Sequence, residues 1–130
     1  MKEDERPKDR PNVITKYRTQ SGRSVIDKFI EKQPGNAVEY FDFKIGLLEE
    51  RGLDLGPHHV KRVRGKLWEL KVLDAENREY RVFFFVSPPN EIVLVHAIVK
   101  RTQQLPNQDV ELALRRMNEM QYARRRAKRV

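Results

Sequence analysis

The apolar residues of this chain change their spacing once, near Leu67, and the change sets the order of its secondary structure. Before Leu67 they recur every three or four residues, which is the period of an amphipathic helix. From Leu67 to about residue 100 they alternate with polar residues or run continuously, as they do in the strands of a sheet. Helices that precede a block of strands indicate an α+β domain.

Two helices are predicted before the change. Ser24, with Asp27 three residues later, gives a capping-box-like start for the first helix, and Pro34-Gly35 ends it. Asn36 can cap the second helix, and Gly52 suits its C-terminal cap. Helical spacing turns one apolar stripe of the second helix inward, consisting of Val38, Phe41, Ile45 and Leu48.

Three strands are predicted after the change, in the segments LWELKVL, YRVFFFV and EIVLVHAIVK, with polar turns between them. Residues 13–19 add a short, weak edge strand. Asn107 can cap a last helix whose inward residues are Val110, Ala113, Leu114 and Met117. The prediction is an α+β fold with two N-terminal helices, a three- to four-stranded antiparallel sheet and a C-terminal helix, all helices lying on one side of the sheet.

The charge and cysteine content narrow the classes of function. Lys and Arg number 27 against 19 Asp and Glu, so 130 residues carry a net charge of +8. A surplus of this size produces a positive field suited to phosphates or to an acidic partner. The absence of cysteine excludes disulfides, a thiolate nucleophile and Cys-ligated zinc, and three histidines are too few for most histidine-rich metal sites. We expect neither a metal site nor a cofactor.

The two ends of the chain differ in composition from its middle. Residues 1–12 are mostly charged residues and proline and are expected to form a disordered leader. Residues 123–130 are expected to form a basic tail, which leaves residues 13–122 as the folded domain. Because no apolar run approaches the length of a membrane span and the start lacks an apolar signal segment, we expect a cytoplasmic protein without a membrane partner.

Strand alternation gathers basic residues on the sheet face that the predicted helices leave open. These residues are Lys71, Arg81, His96 and Lys100, with Arg101 at the strand end and Arg62, Arg64 and Lys66 just before the first predicted strand. Phe83 and Phe85 share this face and offer aromatic rings on which unstacked RNA bases can stack. The alternative is that both rings are core residues, because aromatic stripes usually are.

Four segments, in this order, resemble RelE/HigB-type toxins of the phage-derived subgroup over about residues 20–117. They are SVIDKFIEKQPGNA, GLLEERGLDLGPHHVKRVRGKLWELKV, EYRVFFFV and IVLVHAIVKRTQQLP. The most specific pieces are LWELK followed by YRVFFF, and HAIVKRTQQLP with its basic pair and proline.

The resemblance implies a RelE-like microbial ribonuclease fold in the toxin of a type II toxin–antitoxin system. Such a toxin enters the ribosomal A site, cuts mRNA without a metal and so inhibits translation. Its implied partner is a small helix-turn-helix antitoxin, in a complex that can be a heterotetramer. The alternative is a non-catalytic protein on the same fold that binds RNA or the ribosome, or that only pairs with an antitoxin.

The resemblance also assigns roles to residues. Lys71 matches a basic position of the first strand, Arg81 matches the arginine of the YR motif, and Lys100-Arg101 matches the basic pair. The chain departs from the better-studied members at Glu69, where they carry another lysine. It also lacks the tyrosine that some relatives have after the basic pair, and has Gln103, Gln104 and Leu105 there.

Metal-free RNA cleavage requires proton transfer as well as cations. Arg81 and Arg101 are expected to stabilise the phosphorane, with Lys71 as electrostatic support or general acid. His96 is the candidate for proton transfer because an imidazole titrates near neutral pH, but a core histidine hydrogen-bonded under the last helix explains it equally well. Glu69 is interpreted as an ion-pair partner of Lys71 or Arg81 rather than as a base. The adjacent His58-His59 is interpreted as part of a loop.

Overall fold

The computed structural model describes residues 11–129, so the predicted leader lies outside the described residues apart from Pro11 and Asn12. The strands are β1 Val13–Lys16, β2 Val60–Arg64, β3 Leu67–Leu73, β4 Glu79–Ser87 and β5 Glu91–Val99. The helices are α1 Val25–Glu31, α2 Ala37–Arg51 with a 3₁₀ turn at Gly52–Leu55, and α3 Asn107–Arg129. The basic residues predicted as a tail continue α3 as far as Arg129. None of the helices within this described range is long and apolar enough to cross a membrane.

The five strands form one mixed sheet in the order β1-β5-β4-β3-β2. β1 pairs in parallel with β5, and the other neighbours are antiparallel. The α+β class, the two N-terminal helices, the C-terminal helix and the weak edge strand are confirmed. β2 was not predicted, because its sequence VKRVR carries three cations among two valines. An edge strand tolerates such charges, since only one of its sides pairs with a neighbour.

The prediction that all helices lie on one side of the sheet is wrong. α1 and α2 cover one face, in a first core that includes Ile26, Phe41, Leu70, Tyr80 and Phe84. α3 covers the opposite face, in a second core that includes Phe83, Phe85, Val95, Ala113 and Met117. The two central strands are buried on both faces, which explains why β4 and β5 read as continuous apolar runs rather than alternating ones.

The helix ends follow the predicted caps in part. Ser24 Oγ accepts a hydrogen bond of 3.1 Å from the Asp27 backbone N–H, as the capping pattern predicts. Asn36 precedes α2 but makes no side-chain cap bond, and Val38 is half exposed rather than inward. Gly52 ends α2 with a φ of +58°, and a Cβ there would lie 3.3 Å from Asn12 Nδ2. A glycine is therefore required at this turn.

Candidate functional site

A pocket of about 130 Å³ opens at the β2 edge of the sheet, on the face that carries α3. The loop before β2 and the strands β2, β3 and β4 form it. Its lining residues are Pro57, His58, His59, Lys61, Glu69, Lys71 and Arg81. Five of these seven side chains are basic or histidine, and one is a carboxylate. Such a lining is suited to an anionic ligand.

Strand register explains why these side chains meet. Lys61 of β2 pairs with Glu69 of β3, and Lys71 of β3 pairs with Arg81 of β4. Residues directly opposite one another point to the same face, and Glu69 and Lys71 are two residues apart, so all four side chains share that face. The loop is held to β3 by a 2.9 Å hydrogen bond that the Lys71 backbone N–H donates to the carbonyl oxygen of His59.

The guanidinium of Arg81 is held at the pocket wall by two carboxylates. Its Nε lies 2.9 Å from Glu69 Oε1, and its Nη1 lies 3.1 Å from Glu79 Oε1. Only 9% of Arg81 is exposed, and its contact with Glu69 forms away from bulk water, whereas the side chain of Glu79 is 41% exposed. The Glu69 contact is an ion pair rather than a directed hydrogen bond, because Oε1 has no hydrogen-bond partner in residues 11–129. The interpretation of Glu69 as an ion-pair partner is confirmed.

The adjacent residues His58 and His59 line the pocket, although the sequence indicates only that they belong to a loop. Burial lowers the pKa of His59, and the positive charge of Lys44 on α2 lowers it further. The imidazole is therefore neutral at neutral pH, and a neutral ring accepts a proton. Its Nδ1 is buried and has no hydrogen-bond partner among the residues that the structure describes. The missed signal is the position of His59 one residue before β2, which becomes visible only once β2 is recognised as a strand.

Lys44, on the other side of the sheet, adds a positive charge that acts on His59 and Lys71 in the pocket. Lys44 of α2 is half-buried, and its pKa is lowered by burial and then by the positive charge of Lys71. A bound anion would relieve the repulsion between the two lysines. Within residues 11–129 no three His, Cys, Asp or Glu side chains lie close enough together to hold a metal ion.

His96 lies outside this pocket, beneath α3. Its Nε2 is 2.7 Å from Asp109 Oδ1, and its Nδ1 is 3.3 Å from Arg116 Nη1. The ring also stacks on Phe83, with the two centroids 5.8 Å apart. Burial lowers the pKa of His96, although the hydrogen bond with Asp109 opposes this shift. The geometry corresponds to the core-histidine alternative, so the expectation of an open face around His96 is wrong.

Phe83 and Phe85 are fully buried in the second core. The prediction that they stack on RNA bases is wrong, because α3 covers the face that sequence reasoning left free of helices. Their alternative interpretation as core residues is the correct one. The error follows from the side assigned to α3, since the alternation of β4 was predicted correctly. The predicted alternation of β5 is wrong, because an irregularity in its pairing with β4 puts Leu94 and His96 on opposite faces.

The remaining predicted basic residues do not line the pocket. Lys100 follows β5, and its backbone N–H donates a 2.8 Å hydrogen bond to Glu79 O, while Arg101 is exposed. Arg64 is 2.9 Å from Glu111 on α3. Arg62 pairs with Trp68 on the other face, and Lys66 is exposed in the β2–β3 turn. An RNA-binding or catalytic role for these residues stays a prediction.

Fold and site together define a small, positively charged α+β domain with a cation-lined pocket at one edge of its sheet. The sequence model of the family described as Phage derived protein Gp49-like (DUF891) matches residues 28–118. The chain belongs to this family of toxin-like proteins. The matched range runs from α1 into α3 and includes every residue of the pocket. No curated protein sequence matches the chain.

Proposed function

We propose that the chain is the toxin of a type II toxin–antitoxin pair, and that it is a RelE/HigB-like, ribosome-dependent mRNA endonuclease. The observation that carries the proposal is the pocket in which Lys61, Lys71 and Arg81 surround a space of about 130 Å³ beside two histidines. Membership of a toxin-like family supports the toxin class. Under this proposal the partners are an mRNA in the ribosomal A site and a helix-turn-helix antitoxin, bound in a complex that can be a heterotetramer.

The proposed reaction is the attack of a ribose 2′-OH on the adjacent phosphorus. A bond forms between O2′ and phosphorus, the bond from phosphorus to O5′ breaks, and the products are a 2′,3′-cyclic phosphate and a 5′-OH. Arg81 is permanently charged and held in place, which suits it to stabilise the phosphorane. Lys71 lies opposite Arg81 in the sheet and is assigned as the acid that protonates O5′. Lys100 and Arg101 are assigned to the flanking phosphates.

We assign the general base to His59 rather than to His96. The neutral ring of His59 lines the pocket, so it can take the proton from the 2′-OH. Both nitrogens of His96 face protein groups, Asp109 on one side and Arg116 on the other. His96 therefore acts in the packing of α3 in this account.

The second candidate function is a non-catalytic protein that binds RNA or the ribosome, or pairs with an antitoxin. The observation that favours it is the double ion pair of Arg81, because a phosphate must displace Glu69 or Glu79 to reach the guanidinium directly. The two candidate functions share the basic surface and differ only in cleavage.

The experiment that separates them is cleavage of a defined mRNA by the purified chain, with and without translating ribosomes, mapped by primer extension. The endonuclease proposal expects cuts within codons that require ribosomes and that disappear in Lys71→Ala. The matched control is Lys28→Ala, which removes the same charge from the exposed surface of α1 on the opposite side of the sheet and is expected to cut like the wild type. A folded sample that binds ribosomes without cutting contradicts the endonuclease and supports the second candidate.

A further inference from the structure

Each of the three acidic side chains of α3 contacts another part of the domain. Asp109 lies 2.7 Å from His96, and Glu111 lies 2.9 Å from Arg64. Glu119 accepts a 2.7 Å hydrogen bond from the hydroxyl of Tyr17. Glu111 and Glu119 stay exposed beside Arg115, but α3 carries seven basic residues against these three acidic ones. The helix as a whole therefore keeps a positive net charge.

The C-terminal third of α3 is the most basic segment of the chain. It has no acidic residue after Glu119, and five of its residues between Arg124 and Arg129 are basic. Arg124 turns back to Glu91 and Ser87, which fixes the helix against the turn between β4 and β5. Arg125 and Lys128 are exposed and form no ion pair with any residue in the described range 11–129. The segment is thus held in place while its cations stay available.

Arg115, Tyr122 and Arg126 share one side of α3, because spacings of seven and four residues return to the same helical face. We call these three residues the α3 stripe. At 1.5 Å per residue the stripe extends over about 16 Å, the length of several nucleotides of one strand. Tyr122 is 55% exposed, and the Arg126 guanidinium carbon lies 5.9 Å from the centre of its ring.

We infer that the α3 stripe is a docking surface for single-stranded RNA, separate from the pocket. Arg115 and Arg126 bind phosphates several nucleotides apart, and the exposed ring of Tyr122 stacks on an unpaired base between them. A membrane surface fits this segment less well, because binding in a bilayer interface needs an apolar helix face. Tyr122 is the one large apolar side chain of α3 that is exposed in the described range. The inference does not rest on cleavage and stands if the pocket is inactive.

The test is fluorescence anisotropy of a labelled, 2′-O-methyl single-stranded RNA of about twenty nucleotides, titrated with the full chain at several salt concentrations. The 2′-O-methyl groups prevent the proposed cleavage, so only binding is measured. The test variant is Arg115→Gln/Arg126→Gln. The matched control is Lys28→Gln/Lys32→Gln, which removes the same charge from an exposed lysine of α1 and the exposed lysine that follows α1, on the opposite side of the sheet.

The α3 variant is expected to bind more weakly, with the slope of log K against log salt shallower by about 1.4, or roughly 0.7 for each lost phosphate contact. Tyr122→Ala is expected to lose about tenfold in affinity with an unchanged salt slope. The pocket is tested separately, by the cleavage of ribosome-bound mRNA in Lys71→Ala, so a failed pocket and a failed stripe give different results.

Equal losses in the α3 variant and in the α1 control would overturn the inference, as would wild-type affinity in the α3 variant. Tighter binding to vesicles of anionic phospholipid than to the RNA would also overturn it in favour of a membrane partner. Circular dichroism of each variant confirms that the exposed substitutions leave the fold intact.

Discussion

Arg81 shows how one residue of the pocket is prepared for an anion. Removing it from water is compensated by Glu69 at 2.9 Å and Glu79 at 3.1 Å. A buried charge needs such partners, because an unpaired buried cation costs several kcal/mol. The same partners fix the direction of the guanidinium, which a flexible surface arginine lacks. Two carboxylates thus hold the cation in place and also compete with the ligand for it.

His59 gives the pH dependence that the account predicts. Its pKa lies below the ordinary value because of burial and the charge of Lys44, so the base form persists at pH values where a free imidazole is protonated. Cleavage is expected to be high at pH 7 and to fall only below about pH 6.5, as acid protonates the ring. The measurement is the single-turnover cleavage rate between pH 5 and pH 8.

His59→Asn is expected to lose on the order of 10²-fold or more of this rate and to lose the acidic limb of the profile. His96→Asn is the comparison, and it is expected to keep the limb because His96 lies under α3. A limb that vanishes in His96→Asn and survives in His59→Asn would return the base to His96.

At the scale of elements, β2 and β4 show most clearly what the sequence can and cannot predict. The alternation in LWELKVL placed Lys71 and Glu69 on the correct face, and the run FFF of β4 marked a strand. A continuous run does not say which element covers each face, so the position of α3 and the burial of Phe83 and Phe85 could not be read from it. β2 was not predicted, because its charged residues interrupt the alternation of apolar and polar residues that marks a strand. Without β2, the pocket that this strand forms with His58 and His59 could not be predicted either.

The end of α3 makes a second prediction at this scale. Arg124 donates to both carboxylate oxygens of Glu91, and this contact lowers the pKa of Glu91. Arg124→Gln is expected to loosen the last turns of α3, at a cost of about 1 kcal/mol or less for a pair that is partly exposed.

The measurement is hydrogen exchange of the backbone amides of residues 118–128, which should become faster in Arg124→Gln. Arg125→Gln is the matched control, since Arg125 is exposed and carries the same charge one residue later. Equal exchange in the two variants would show that the contact with Glu91 does not hold the helix.

At the scale of the whole molecule, a chain of net charge +8 carries two basic surfaces on the side of the sheet that α3 covers. One is the small pocket at the β2 edge, and the other is the outer side of α3 with its stripe. Both favour a polyanion, and both lie opposite the face that α1 and α2 cover. One side of the domain can therefore contact a large RNA partner such as the ribosome.

The most direct measurement of the central claim is the single-turnover cleavage rate of ribosome-bound mRNA by Arg81→Ala, made together with the affinity of the variant for ribosomes. The account predicts a rate lower by about 10²–10³-fold with a ribosome affinity near that of the wild type, because Arg81 acts on the reacting phosphate. Lys28→Ala, which removes an exposed cation of α1 on the opposite side of the sheet, is the control and should cut at the wild-type rate. A wild-type cleavage rate in Arg81→Ala would contradict the claim that this pocket is the active site.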